Sequence, residues 1–409
     1  MLDIQFIREN KDKVKKRVAD KQLDPKIVDK VLELDEIRRT LLKEIGELRV
    51  DKNKFAKDKN IEEGKRIREV LKKLEHKRIK VEDQFTEALY QIPNLPSDDV
   101  KVGKDESENE VIRKWGEPRK FNFDPKPHWV LGESLGIIDT DSGSVVSGTR
   151  FFYLKGDGVL LEFALTQFAF AELIKEGFTP IIPPVIIKEG SMKSMGYIEH
   201  GGIDEMYVLD KDNLVLVGTS EQSIGPLHSV EVLKKDELPK RYIGYSTCFR
   251  REAGSYGKDT KGAFRVHQFN KTEMFSFTTE DESDREHEYL LSLEEKFLRK
   301  LGIPYQVSKM CSGDLGFPMA RKYDLEGWFP GEGKYRELTS TSTTTDFQAR
   351  RLHIKYEDRG ERKFVHMLNG TAFSQRPILA ILENYQQEDG SVTIPEVLRK
   401  WMGKDVIKK

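Results

Sequence analysis

Along the first hundred positions, apolar residues recur at alternating intervals of four and three. Ile27, Val31, Leu34, Leu41, Ile45 and Leu48 make one stripe, and Ile67, Leu71, Leu74, Val81, Phe85, Ala88 and Ile92 make a second. That period is the seam of a packed helix pair, and each stripe skips once, at Arg38 and at Arg78. Between them Asp51-Lys-Asn-Lys-Phe-Ala-Lys-Asp-Lys-Asn60 is polar, so the stripes predict an antiparallel helical hairpin with its tip near Ala56 to Asn60. A shorter helix, from about Asp3 to Asp20, should precede it. Pro93 and Pro96 cannot continue a helix and close the hairpin.

The pattern changes after residue 100. Val102 to Glu110 is charged and reads as a linker. From about Lys114, short β-rich runs alternate with amphipathic helices, with no internal repeat or low-complexity tract. Gly158 to Glu176 reads as a helix with a wide apolar face, followed by a strand within Gly177 to Ile186. Arg241 to Phe249 and Gln268 to Phe275 are aromatic and β-branched with a Gly/Ser/Asp-rich turn between them, which predicts two antiparallel strands and a long loop. The chain divides into a helical arm, residues 1–100, and a mixed α and β domain, residues 101–409.

Composition narrows the class. With 409 residues, 34% charged and 37% hydrophobic, the chain has a globular balance and room for more than one domain. A net charge of −1 means that any nucleic-acid contact must use a local basic surface. The hairpin supplies one: Lys52, Lys54, Lys57 and Lys59 near the tip, and Lys65, Arg66, Arg68, Lys72, Lys73, Lys77, Arg78 and Lys80 along the second helix, interleaved with acids. Such a face also suits a solvated coiled coil or a dimerisation element. Cys248 and Cys311 form no CxxC pair, which argues against a disulfide framework or thiolate zinc site and for a reducing compartment. Charges interrupt the opening Met-Leu-Asp-Ile-Gln-Phe-Ile-Arg-Glu-Asn, so neither signal peptide nor membrane span is expected, and the cytoplasm is the expected location.

Chemistry concentrates at the predicted strand pair. Arg250 and Glu252 stand where the first strand ends, two apart and therefore on one face if the strand continues. A guanidinium forks onto phosphate or carboxylate, a carboxylate accepts from an exocyclic amine, and Phe269 on the partner strand offers a stacking platform for a purine. A lone Arg-x-Glu is usually a surface ion pair; here the whole run reads as a nucleotide site.

That run, Thr247-Cys-Phe-Arg-Arg-Glu-Ala-Gly-Ser-Tyr-Gly257 continuing to Val266-His-Gln-Phe-Asn-Lys-Thr-Glu-Met-Phe275, resembles motif 2 of class II aminoacyl-tRNA synthetases, and specifically of seryl-tRNA synthetases. The resemblance extends in order along the chain. Ser147-Gly-Thr-Arg-Phe-Phe-Tyr-Leu-Lys-Gly156 resembles the entry strand, Gly177-Phe-Thr-Pro-Ile-Ile-Pro-Pro-Val-Ile186 motif 1, and Gly218-Thr-Ser-Glu221 the amino-acid loop. Arg336-Glu-Leu-Thr-Ser340 resembles the metal-binding strand, and Asn369-Gly-Thr-Ala-Phe-Ser-Gln-Arg376 with Ile381-Leu-Glu-Asn-Tyr385 resembles motif 3.

The resemblance implies an α+β fold: a class II antiparallel β-sheet core flanked by helices, preceded by the helical hairpin. It implies a serine–tRNA ligase that activates L-serine with ATP and transfers it to tRNA(Ser), with tRNA(Sec) as a further acceptor to test. It assigns ATP contacts to Arg250, Glu252, Arg265, Val266, Phe269, Glu337, Leu338, Thr339, Ser340 and Arg376, of which Arg250 and Arg376 are catalytic, with adenine between Phe269 and the Arg376 plane. Mg2+ would accompany ATP at Glu337 and Ser340; oxygen ligands suit that ion, and no zinc is expected. Serine would meet Thr219, Ser220, Glu221, Arg250, Glu273 and Thr371, with Glu273 at the hydroxyl. The run from Thr371 to Arg376 is one residue shorter than the family usually shows, which brings Ser374 into consideration beside Thr371. The resemblance also implies a homodimer through motif 1, an arm that embraces tRNA by shape, and no membrane. His228, His267 and His353 match no metal spacing and read as structural, and Cys248 as a packed small residue. Two other readings are an amino acid ligase for a carrier protein, which would not need the basic arm, and an inactive paralogue acting as a scaffold, which would not need the ATP residues.

Overall fold

The computed structural model describes residues 1–57, 60–254, 257, 259 and 261–409, with only the backbone at residue 56. The described residues form two compact units, Met1–Leu95 and Pro96–Lys409.

In the first unit, helices α1 (Ile4–Glu9) and α2 (Lys11–Asp20) precede the long α3 (Lys26–Lys57) and α4 (Ile61–Tyr90). The single helix expected from Asp3 to Asp20 is therefore two. Asn10 leaves helical geometry at φ −127°, ψ 34°, and its backbone and side-chain N–H groups both donate to the Phe6 carbonyl, at 2.9 and 3.1 Å. A short amide side chain competing for backbone partners is a reason for a helix to stop there. Ile7, Val14 and Val18 are buried with Val28, Val31, Phe85, Ala88, Leu89 and Ile92, so both pieces pack onto the hairpin base. The skip at Arg38 is filled: its guanidinium lies 4.6 Å over Phe85 and pairs with Asp35 at 3.1 Å and Glu82 at 3.3 Å. Asp35 is fully buried and takes Arg8 and Arg39 as well, the pairing a buried carboxylate requires. Lys59, and part of the tip expected between Ala56 and Asn60, lie outside the described residues. Asn60 opens α4 by accepting from Glu63 N–H at 3.2 Å.

The second unit is built on strands β1 (Glu110–Trp115), β2 (Thr179–Ile181), β3 (Lys240–Phe249), β4 (Gln268–Thr278), β5 (Tyr305–Lys309), β6 (Arg321–Phe329), β7 (Lys334–Thr345) and β8 (His366–Phe373). Among the described residues they form one sheet in the order β1-β5-β6-β7-β8-β4-β3-β2, antiparallel throughout except where β2 meets β3. Helices α5 (Asp157–Lys175) and α6 (Ser283–Leu301) cover one face through Phe168, Phe297 and Phe373, whose rings lie 5.0–6.0 Å apart. Strand alternation then divides β4. Met274 joins that core and Ser276 donates to Glu286 of α6, whereas Lys271 and Glu273 turn to the other face. Helix α7 (Arg376–Asn384) follows β8 directly.

The stretch read as a linker is part of this unit. Gly103 N–H donates to Ser312 Oγ at 3.2 Å, Ser312 N–H to the Lys101 carbonyl at 2.9 Å, and Gly313 N–H to the Gly103 carbonyl at 3.0 Å. A Cβ on Gly103 would lie 2.8 Å from Cys311 Sγ, so glycine is needed for the close approach. The segment runs into β1, the edge strand beside β5.

Candidate active site

The sheet face opposite α5 and α6 floors a cavity of about 600 Å³, and most of the residues singled out from the sequence border it. On one side are Arg250, Glu252, Arg265, Val266, Phe269 and Arg376. Arg250 stands just past β3, its Nε donating to the Gly218 carbonyl at 3.1 Å and its guanidinium 5.2 Å over the Phe269 ring. His267 supports it from behind: its carbonyl accepts from Arg250 N–H and its Nδ1 meets the Arg250 carbonyl, both at 2.9 Å.

Arg250 and Glu252 share the cavity for a different reason from the one expected. The strand ends at Phe249, and Glu252 has φ +54°, in the left-handed region. Glu205 holds that turn, accepting from the N–H groups of Ala253 and Gly254 at 3.3 and 3.1 Å on its carboxylate and from Arg251 on its carbonyl at 3.0 Å. Bonds on both sides of Glu252 offset the conformational cost there. Its carboxylate pairs with Arg265 at 2.6 Å. Ser255 and Tyr256 lie outside the described residues. Arg376 Nη1 pairs with Glu337 at 2.8 Å, and the guanidinium groups of Arg336 and Arg376 lie 3.4 and 4.8 Å from the centre of the Phe264 ring.

Glu337 and Ser340 are three apart and would face opposite sides of a regular strand. A bulge in β7 changes this: Glu326 of β6 pairs with Glu337, but Leu325 pairs with Thr339, so Leu338 is the extra residue. Leu338 and Thr339 both turn to the helix side, Leu338 into the core and Thr339 donating to Glu294 of α6 at 2.8 Å. Glu337 and Ser340 are thereby left bordering the cavity. Asp324, unforeseen from the sequence, lies opposite Ser340 on β6 and pairs with Lys322 at 3.0 Å. Burial pushes the Glu337 carboxyl up, but Arg376 and Lys322 outweigh it and hold the group below the usual carboxylate range. Carboxylate and hydroxyl oxygens bordering the cavity fit a hard divalent ion such as magnesium.

The third side is a buried polar cluster. Thr219, Glu221, Lys271, Asn369 and Thr371 border the cavity and are nearly inaccessible, and Glu273, joined to Lys271 and Asn369, is fully buried behind them and does not itself border it. Thr371 stands opposite Glu273 across the β4–β8 ladder. Ser374 also borders the cavity, but its hydroxyl accepts from Arg376 N–H at 3.3 Å and serves the start of α7. Ser220 departs from the expectation: it is buried with its hydroxyl toward Gly244 of β3, where an added Cβ would lie 3.1 Å away, and it does not border the cavity. A helical turn begins at Glu221 and rotates Ser220 away from its neighbours. Lys271, Asn369 and Tyr197 complete the cluster; Lys271 was open to discovery from the alternation Phe269, Lys271, Glu273.

The remaining candidates are structural. His228 is held by Glu231 at 2.7 Å and Tyr242 at 2.8 Å, His353 ends a helix in left-handed geometry, and Cys248 is fully buried, which pushes its thiol up.

A floor of antiparallel strands carrying an arginine–carboxylate turn on one strand pair and an arginine-headed helix after another defines the class II aminoacyl-tRNA synthetase core. Comparisons with known proteins agree: residues 207–385 match the family model "tRNA synthetase class II core domain (G, H, P, S and T)" and residues 1–96 match "Seryl-tRNA synthetase N-terminal domain". The chain is 44% identical over 419 residues to the serine–tRNA ligase of Thermobifida fusca, covering 100% of this chain and 99% of that one. The seryl-tRNA synthetase of Pyrococcus horikoshii, solved with ATP, superposes with a TM-score of 0.95 at 39% identity, covering 100% and 99% of the two chains. The cytoplasmic serine–tRNA ligase of Naegleria fowleri, solved with AMP, gives 0.92 at 36%, with the same coverage. The chain belongs to the seryl-tRNA synthetases, and its activity is theirs: ATP-dependent ligation of serine to tRNA. No helix among the described residues is long and apolar enough to cross a membrane.

Proposed function

We propose that this cavity performs both half-reactions and that the side chains divide the work by position. The carrying observation is Arg250, fixed between the Phe269 ring and the Gly218 carbonyl, where the nucleotide side meets the amino-acid loop. There its guanidinium bridges the ATP α-phosphate and the seryl carboxylate. A carboxylate oxygen attacks the α-phosphorus in line, the bond to pyrophosphate breaks, and seryl-adenylate forms. The terminal ribose hydroxyl of the tRNA then attacks the seryl carbonyl and AMP leaves. No protein nucleophile is involved; the enzyme positions the reactants and neutralises charge.

Phe269 stacks on adenine, Glu252 accepts from its amine, and backbone at Val266 completes the pocket. Arg265 and Arg376 take the outer phosphates, so ATP entry exchanges the Arg265–Glu252 pair for two ligand contacts. Thr219, Glu221, Glu273 and Thr371 read serine, with Glu273 at the hydroxyl; Ser220 supports the loop from below. A buried carboxylate left without that hydroxyl disfavours alanine. Glu337 and Ser340 would hold the magnesium that accompanies ATP, supplying charge neutralisation at the phosphates. Glu337→Ala should raise the magnesium concentration needed for half-maximal ATP binding at least about tenfold, read by ATP titration at fixed magnesium levels; an unchanged requirement would move the ion elsewhere.

We also propose a homodimer and a cytoplasmic location. Leu160, Phe163 and Ile174 project from the outer side of α5, Ile182 is 82% exposed just past β2, and β2 pairs on one side only among the described residues. Sedimentation equilibrium should give the mass of two chains, with Phe163→Glu shifting it toward one; a monomeric wild type would overturn this. Both cysteines are free and buried, in keeping with a reducing compartment, and cell fractionation tests the location. The arm of Met1–Leu95 is assigned to tRNA, with Lys65, Arg68, Lys72, Lys73, Lys77 and Lys80 exposed along α4.

A further inference from the structure

Two carboxylates of the proposed serine pocket hold donors that neither half-reaction calls for. Glu221 receives the Tyr197 phenol on Oε1 and the Asn369 amide on Oε2. The same Asn369 Nδ2 donates to Glu273 Oε1 at 3.1 Å, and the other oxygen of Glu273 faces Lys271 Nζ at 2.7 Å. Lys271 reaches Thr219 Oγ1 at 3.4 Å. One chain of contacts thus joins Tyr197, Glu221, Asn369, Glu273, Lys271 and Thr219.

Two members, Asn369 and Tyr197, are fixed by residues that are not part of this chain of contacts. Ser342 Oγ donates to Asn369 Oδ1 at 2.6 Å, and a flipped amide would set an oxygen against two carboxylates, so the two hydrogens of Nδ2 must point one to each. Tyr197 follows Gly196, which ends the helix Glu189–Met195 in left-handed geometry, and its ring packs against three apolar clusters while its hydroxyl reaches Glu221. Both residues have geometry that is set before a substrate arrives.

We infer that Tyr197 and Asn369 are positioning residues for serine recognition, holding Glu221 and Glu273 apart and aimed so that one takes the ammonium group and the other the hydroxyl of serine. The inference rests on the seryl-tRNA synthetase reading of the site. Two carboxylates in one dry pocket repel each other, and without donors between them each would turn toward Lys271 or Arg250 and lose its aim. The charged and titratable groups facing Glu221 are Glu273, Lys271, Tyr197 and Arg250. Burial, with Glu273, outweighs the lowering effect of Lys271, the Tyr197 hydrogen bond and Arg250 and leaves its carboxyl raised to about 7. An ammonium group needs the ionised form, so serine should bind more tightly as pH rises through that region. Removing the phenol hydrogen bond moves the transition to higher pH.

The test is serine-dependent exchange of pyrophosphate into ATP, measured across pH for wild type, Tyr197→Phe and Asn369→Ala, with the KM for ATP and thermal unfolding as references. Tyr197→Phe keeps the ring and its packing; it should raise the KM for serine about tenfold at neutral pH and shift the acid limb of kcat/KM upward, leaving the KM for ATP within about twofold. Asn369→Ala removes donors to both carboxylates and should raise the KM for serine about a hundredfold, with at least about a tenfold narrower preference for serine over alanine. Asn369→Ser, which keeps one donor, should recover part of that loss. An unchanged serine KM and pH profile in Tyr197→Phe, or equal losses toward serine and ATP in both variants, would overturn the inference. A wild type without serine-dependent exchange would instead sink the functional reading beneath it.

Discussion

Arg250→Ala should lower kcat/KM for serine-dependent pyrophosphate exchange by about a thousandfold or more, the scale seen when one fixed donor to a developing charge is removed. The magnitude follows from how firmly this guanidinium is held. Its backbone is bonded to His267 through both N–H and carbonyl, its Nε is anchored on Gly218, and its plane stands over Phe269. Such a group is organised before the reaction and costs nothing to orient during it. Arg250→Lys should recover only a small part, because an ammonium cannot fork between phosphate and carboxylate. Exchange by Arg250→Ala within tenfold of wild type would remove Arg250 from the centre of the mechanism.

The second large effect is expected on tRNA and not on adenylate formation. Changing Lys65, Arg68, Lys72, Lys73 and Lys77 together to glutamate should lower kcat/KM for charging tRNA(Ser) by about a thousandfold or more and flatten its salt dependence, since each lost phosphate contact removes roughly one unit of the salt slope. All five lie on the exposed side of α4, away from the seam of Ile67, Leu71, Val81 and Phe85, so circular dichroism should still show the hairpin. The arm is a separate unit, so serine-dependent exchange should stay within about twofold. Equal loss of both reactions would mean that the substitutions damaged the fold; loss of neither would take tRNA off this surface.

What the sequence disclosed follows the range of the interactions concerned. The arm was legible because a four-three period is a local property, although the break that Asn10 makes with its own amide was not foreseen, and the skip at Arg38 is filled by Phe85 and Glu82 of the other helix as well as by Asp35. The strand pair bearing Arg250 and Phe269 was legible for the same reason. The joint facing of Glu337 and Ser340 was not, because it depends on a bulge set by pairing with β6. Neither was the turn at Glu252, which is held by Glu205 from 47 positions earlier, nor the docking of residues 102–110, which depends on Ser312, 209 positions after Gly103. Tyr197 was hidden most completely: nothing around it in the chain says that its hydroxyl meets Glu221.

The account stands or falls most directly on amino-acid-dependent pyrophosphate exchange by the purified wild-type protein with ATP and magnesium, run in parallel with serine, alanine, threonine, glycine and cysteine. The structure predicts strong exchange with serine and at least about a hundredfold less with alanine, since a pocket built around a hydroxyl leaves buried carboxylates unmet without one. Exchange with none of the five, or equal exchange with alanine and serine, would contradict it.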